Sequence, residues 1–183
     1  MTRSGPQASG PLVLDFVSSS VGGEGVEVAR KVVPAGTVVR QGGDFPSPRN
    51  AREVVTFLSF LMVGMAPPFS LFLTATLEEF TIHLVHLTPN AVLTLALFAH
   101  ACEMFVRVQP SVELFCHFFA ISWSPSLSPG PGTAPQAHTV GGVFLQWRST
   151  NFLPLAQRDK WENWEWHWLY VEVDDPSPLL RLP

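Results

Sequence analysis

Enzymes that cut or join nucleic acid gather acidic side chains around divalent metal ions, so the carboxylates are the first residues to place. The Asp residues stand at 15, 44, 159, 174 and 175, mostly in stretches that read as loops or tails. Glu78 and Glu79 are neighbours in the sequence, and neighbouring side chains on a helix diverge instead of converging. Asp174-Asp175 precedes Pro176, and no Asp-Thr-Gly or Asp-Ser-Gly protease signature occurs. The carboxylates therefore read as solvated helix faces and a charged tail.

Metal or thiol chemistry would draw on His83, His86, His100, Cys102, Cys116 and His117. Structural zinc sites use close ligand pairs such as Cys-x-x-Cys, and none is present. Cys102 reads as a small buried hydrophobe, and His86 as a tether for the loop before Thr88. Cys116 and His117 are adjacent, so on a helix they point about 100° apart and cannot act as nucleophile and base. Glu113 and His117, four apart, suit a surface pair. No cofactor, metal or small-molecule site is expected.

Trp161, Trp164, Trp166, Trp168 and Tyr170 form the one dense aromatic cluster. Single-strand binders stack bases on such rings inside a positive groove. Here Arg158 and Lys160 face Asp159, Glu162, Glu165 and Glu172, which makes a poor polyanion site because phosphate contacts supply most non-specific affinity. A core or a self-association surface is the better reading of these aromatics.

The elements that must hold these residues are strongly apolar. The 183 residues, enough for one domain, are 46% hydrophobic and 14% charged, against a usual quarter charged; that excludes intrinsic disorder throughout. Residues 1–53 carry six basic and five acidic groups, +1, and residues 54–183 carry five and ten, −5. Two Cys make no disulfide scaffold and suit a reducing compartment. The opening residues do not read as a secretory signal, and an intracellular location, cytoplasmic or nuclear, is the expectation.

Residues 1–37 are expected to be a mobile segment with a weak hairpin over 26–41, where Val26, Val28, Val32 and Val33 lead to Pro34-Ala35-Gly36. Helices are expected over Glu53–Val63, over about Pro68–Leu84 and from Pro89 to about Val106, where Thr88 caps and Pro89 takes the first turn. A short fourth helix follows Pro110-Ser111. Residues 122–137 contain ten Ser, Pro and Gly and read as a flexible excursion. Arg158–Asn163 suits a helical turn, strands are expected at Val140–Trp147 and Trp166–Val173, and 174–183 reads as a tail. On the last strand Trp168 is expected in the core and Trp166 outside. The fold class is α+β: about four helices around the central apolar helix 89–106, with a small C-terminal β element.

Val54–Leu77 has no charged residue and is long enough to cross a bilayer. Pro67 and Pro68 split it, and Ser70, Thr74, Glu78 and Thr81 form a polar stripe opposite Phe72, Leu73 and Leu77. A membrane protein spanning near 54–106 is thus the third-ranked reading.

The run His86-Leu87-Thr88-Pro89-Asn90, followed by Cys102-Glu103-Met104-Phe105, resembles the plant gypsy-type transposon domain, also called a gypsy-type transposase domain, of retrotransposon gag-like proteins. Asp44-Phe45-Pro46-Ser47-Pro48, Glu53–Phe57, Leu114–Phe119, Gly141-Gly142-Val143, Trp161, Trp164, Trp168 and Tyr170 match it in order, over 38–173. The resemblance implies no catalytic residues and a motif set of His86, Thr88, Pro89, Asn90, Cys102, Glu103, Phe105, Trp161, Trp164, Trp168 and Tyr170. Longer members continue into a charged coiled coil, whereas this chain stops at Pro183 and has Glu165-Trp166-His167 where relatives are basic; a truncated or decayed copy is the expectation. The function expected is non-enzymatic, through protein partners or self-association, with a nucleic-acid-binding module as the alternative.

Overall fold

The computed structural model describes residues 14–123, 140–148, 161–174 and 176–182. Its main sheet is built around the last strand of the chain. Strand β1 (Val39–Gln41), β2 (Glu53–Phe57) and β5 (Trp168–Glu172) pair in the antiparallel order β1-β5-β2. Phe57 lies opposite Trp168 and Val55 opposite Tyr170, while Arg40 also lies opposite Tyr170. Residues directly opposite share a face, so Arg40, Val55, Phe57, Trp168 and Tyr170 project to one side. Val39, Val54, Leu169 and Val171 project to the other. All four are buried, so β5 is covered on both faces. That explains its nearly continuous apolar sequence.

The helices are α1 (Gly23–Val32), α2 (Leu58–Met62), α3 (Leu71–Phe80), α4 (Pro89–Ala101) and α5 (Val112–Phe118). Strands β3 (Phe119–Trp123) and β4 (Val143–Trp147) form a second, two-stranded antiparallel sheet. Mixed α+β architecture with a small C-terminal β element is what the sequence implies. Three helices begin at side-chain caps: Ser70 accepts from the Leu73 amide, Thr88 from Ala91 and Ser111 from Leu114. Each satisfies an orphan amide of a first turn. Beyond Ala101, α4 continues as one wide turn, Cys102–Val106, and stops at Arg107 in the left-handed conformation, φ 59°.

Rings pack in two groups. Phe72, Phe98, Phe115 and Phe119 form one, with Phe115 and Phe119 stacked at 4.7 Å. Phe16, Phe57, Phe60, Trp164 and Trp168 form the other, with Phe57 edge-on to Trp164 at 4.7 Å. Edge-on and offset arrangements of this kind suit the ring quadrupoles.

Several expectations need correction. The weak hairpin over 26–41 is helix α1 followed by the single strand β1: Val26, Ala29 and Val33 are buried, a spacing of three and four that a helix and its cap share. Within the N-terminal segment, Leu14, Val21, Val26, Ala29 and Val33 belong to the core. Ser19 donates through Oγ to the Trp168 carbonyl at 2.5 Å, so its polar composition serves hydrogen bonds to the sheet. The helix expected over Glu53–Val63 is β2 then α2; β2 is buried at every position, and a strand covered on both faces loses its period-two signature.

The amphipathic helix is shorter than expected, Leu71–Phe80, because Thr81 turns left-handed at φ 51°. The excursion begins later than 122, since Ser122 and Trp123 belong to β3; residues 124–137 lie outside the described set. So do residues 1–13 and the 158–160 part of the expected helical turn. Trp166 sits in a short helical turn, Trp164–Trp166, before β5 begins. Strand β4 pairs with β3. The tail is tied down among its described residues: Leu180 is buried and the His83 ring Nδ1 lies 2.9 Å from the Arg181 carbonyl.

The uncharged run from Val54 is not one helix, being divided into β2, α2, a loop with a cis Pro67–Pro68 bond, and α3. Pro89–Val106 is long and apolar enough to cross a membrane by length and composition, with mean hydropathy 1.4, and 39% of that window is buried inside the fold.

Candidate functional site

Helix α4 carries motif residues at both ends. A helix rises 1.5 Å per residue, so the group at 86–90 and the group at 102–105 stand roughly 20 Å apart.

At the N-terminal end the residues are structural. His86 is buried and its Nδ1 accepts the His83 backbone N–H at 3.1 Å. This is the tether read from the sequence, with His83 as its partner. Thr88 caps α4 and donates its own N–H to the Val143 carbonyl at 3.3 Å. Pro89 fills the first turn, where an amide would have no helical partner. Asn90 Oδ1 accepts the Trp161 indole N–H at 3.0 Å. Gly141, at φ 68°, donates to the Val85 carbonyl at 2.9 Å. The run thereby joins α4 to β4 and to the C-terminal aromatics.

The aromatics divide by burial. Trp168 and Trp164 are buried, and Trp166 is 48% exposed. Trp168 donates its indole N–H to the Val17 carbonyl at 2.7 Å. The Tyr170 hydroxyl accepts the Ser47 amide at 2.6 Å, and the Arg40 guanidinium lies 3.6 Å above its ring. Arg40 also reaches both carboxylate oxygens of Glu53 at 2.6 Å. The Arg49 amide adds a bond at 2.5 Å. Those hydrogen bonds hold the Glu53 carboxyl below the usual carboxylate range despite its burial. This bidentate pair clamps the 40–53 connection onto the sheet.

At the C-terminal end the arrangement is open. A groove of about 300 Å³ runs between the 64–70 loop, α3 and α4. Phe72, Leu73, Val92 and Leu95 are its buried floor, and His100 and Glu103 line its polar side. The Phe105 ring stands edge-on to His100, centroids 6.1 Å apart, and is 80% exposed. Met104, Val106 and Val108 beside it are also exposed. Glu103 and Arg107, four apart in the sequence, form no ion pair among the described residues, because the left-handed Arg107 ends the helical spacing such a pair needs. The sequence reading named Glu103 and Phe105, weighed His100 only as a metal ligand and used Pro67-Pro68 to break the apolar run, so it missed the groove that Pro68, His100 and Glu103 line.

Among the described residues no three His, Cys, Asp or Glu come together as metal ligands. Burial pushes the thiols of Cys102 and Cys116 up, away from nucleophilic thiolate. Glu113 and His117 form no ion pair among the described residues; the His117 ring packs edge-on to Phe118 at 5.0 Å.

No curated protein and no solved structure matches the chain. A family model described as "Putative gypsy type transposon" matches residues 54–123. The match takes in β2 through β3, with the groove and both motif groups of α4; the 44–48 segment and the Trp161–Tyr170 aromatics lie beyond it. Over residues 54–123 this chain is similar to that gypsy type transposon family.

Proposed function

We propose that the chain is a non-enzymatic, gag-like domain of retroelement origin that works by assembly, through contacts between protein surfaces. One observation carries the reading: the apolar helix α4 runs on into an uncovered stretch, Met104, Phe105, Val106 and Val108, all exposed. Contiguous exposed apolar patches on folded domains mark interaction sites. Glu103 and Arg107 at its edges are the kind of polar rim that surrounds an interface core. A nucleic-acid module would instead need a basic stripe, and residues 54–183 carry a formal −5.

The test is sedimentation of the purified chain over a wide concentration range, with a parallel RNA gel shift at several salt concentrations. Association of protein with protein, little changed by salt, is the expected result. A chain that stays monomeric and shifts RNA with a steep salt dependence would replace this reading with the nucleic-acid alternative. DNA incubated with the protein and Mg²⁺ or Mn²⁺ is expected to remain intact.

A further inference from the structure

From the end of α4 we infer the partner and the geometry: a second copy of this chain docks here reciprocally, each Phe105 ring entering the other's groove. The inference rests on the assembly reading and adds the surface that performs it. Three observations meet at this point. The groove and the exposed ring share His100, which lines the one and touches the other, so a two-fold axis near that residue brings each ring to the other's groove. In such an isologous contact residue i meets j and j meets i.

Size agrees as well. An apolar cavity of about 150 Å³ takes up a benzene molecule, and this groove offers about 300 Å³ over an apolar floor. A phenylalanine ring therefore fits, with room for part of a flanking side chain.

Charge agrees third. Glu103 borders the groove, and Arg107 lies two residues beyond the inserting ring; neither is ion-paired among the described residues of its own chain. Reciprocal docking sets the Glu103 of each copy near the Arg107 of the other, which makes the surface self-complementary in charge as in shape. The pairing is modest in scale. One aromatic side chain carries about 150–250 Å², against roughly 800 Å² per partner in a standard interface, so a weak dimer that depends on concentration follows.

The experiment is analytical ultracentrifugation of the full chain between about 1 μM and 1 mM, for the wild type, Phe105→Asp, Glu103→Arg, Arg107→Glu and the double charge swap. The wild type is expected to dimerise, and Phe105→Asp to weaken dimerisation by at least about tenfold. Each single charge change is expected to weaken it, and the double swap to recover it. Phe105 is 80% exposed, so its replacement should leave the thermal melt in place; if that variant fails to fold, the charge-swap series decides alone. A dimer indifferent to all of these changes would overturn this surface and leave the assembly reading standing. A wild type that is monomeric throughout would overturn both. Flotation with phosphatidylcholine vesicles, lost in Phe105→Asp while the protein stays monomeric, would assign the patch to lipid and likewise overturn the dimer.

Discussion

Trp161 donates its indole N–H to Asn90 Oδ1 at 3.0 Å across 71 residues of sequence. The bond joins the first turn of α4 to the aromatic segment that leads into β5, so two distant parts of the chain share one polar contact. A hydrogen bond of this kind contributes about 0.5–1.5 kcal/mol net. Asn90→Ala and Trp161→Phe are each expected to lower stability by that order in urea titration. The double variant should lose less than the sum, since contacting residues are not additive. Full additivity would show that the bond contributes nothing.

The Glu53 carboxylate sets an acid limb. Its pKa is lowered in the folded chain, chiefly by the hydrogen bonds from Arg40. A group shifted this way stabilises the fold above its unfolded value, about 4.3, and loses that contribution as pH falls through the lower folded value. The melting temperature should therefore drop on acidification below pH ~4.3. Glu53→Gln should cost about 1–3 kcal/mol at pH 7, the range for a buried partner left unpaired, and should show a shallower fall below that pH. Parallel curves for the two proteins would refute the assignment.

How much of this was legible in the sequence depends on whether the cause was local. The starts of α4 and α5 follow from Thr88-Pro89 and Ser111, each a cap acting within its own turn, whereas α3 was expected from Pro68 and begins instead after the Ser70 cap. Strand β2 was misread because Val54, Val55, Thr56 and Phe57 are all buried, and burial on both faces removes the alternation that distinguishes a strand. The order β1-β5-β2 was invisible for another reason: Val39 pairs with Val171, a contact that no local pattern records. At the site, Cys102, Glu103 and Phe105 were named, yet Phe105 belongs to a run as apolar as any core segment. Only the left-handed stop at Arg107 reveals that the run leaves the core.

Trp168 and Trp166 stand two residues apart in opposite environments. Trp168 has no exposed surface and Trp166 is 48% exposed. Truncating a buried Trp costs about 3–5 kcal/mol, a large share of a domain's ~5–15. Trp168→Ala is expected to unfold or insolubilise the chain, while Trp166→Arg should stay within about 0.5 kcal/mol of the parent, as exposed changes usually do. Soluble expression and chemical denaturation compare them directly, and equal tolerance would contradict the placement of Trp168 in the core.

Gly141 and Gly36 separate strain from steric conflict. Both have positive φ, 68° and 89°, where a side chain costs about 1–2 kcal/mol. A Cβ at position 36 meets nothing within 4 Å. At 141 it would strike the Trp164 indole at Cζ2 and Cη2, a ring wedged against Phe57 and Phe60 and unable to swing aside without opening the core. Gly36→Ala should therefore show the conformational cost alone, and Gly141→Ala that cost plus the roughly 1–3 kcal/mol typical of overpacking. Tryptophan emission adds a local readout, since displacing the buried Trp164 should red-shift the spectrum in Gly141→Ala and not in Gly36→Ala. Equal destabilisation of the two variants, with unchanged emission, would mean that Trp164 does not press on the turn as described.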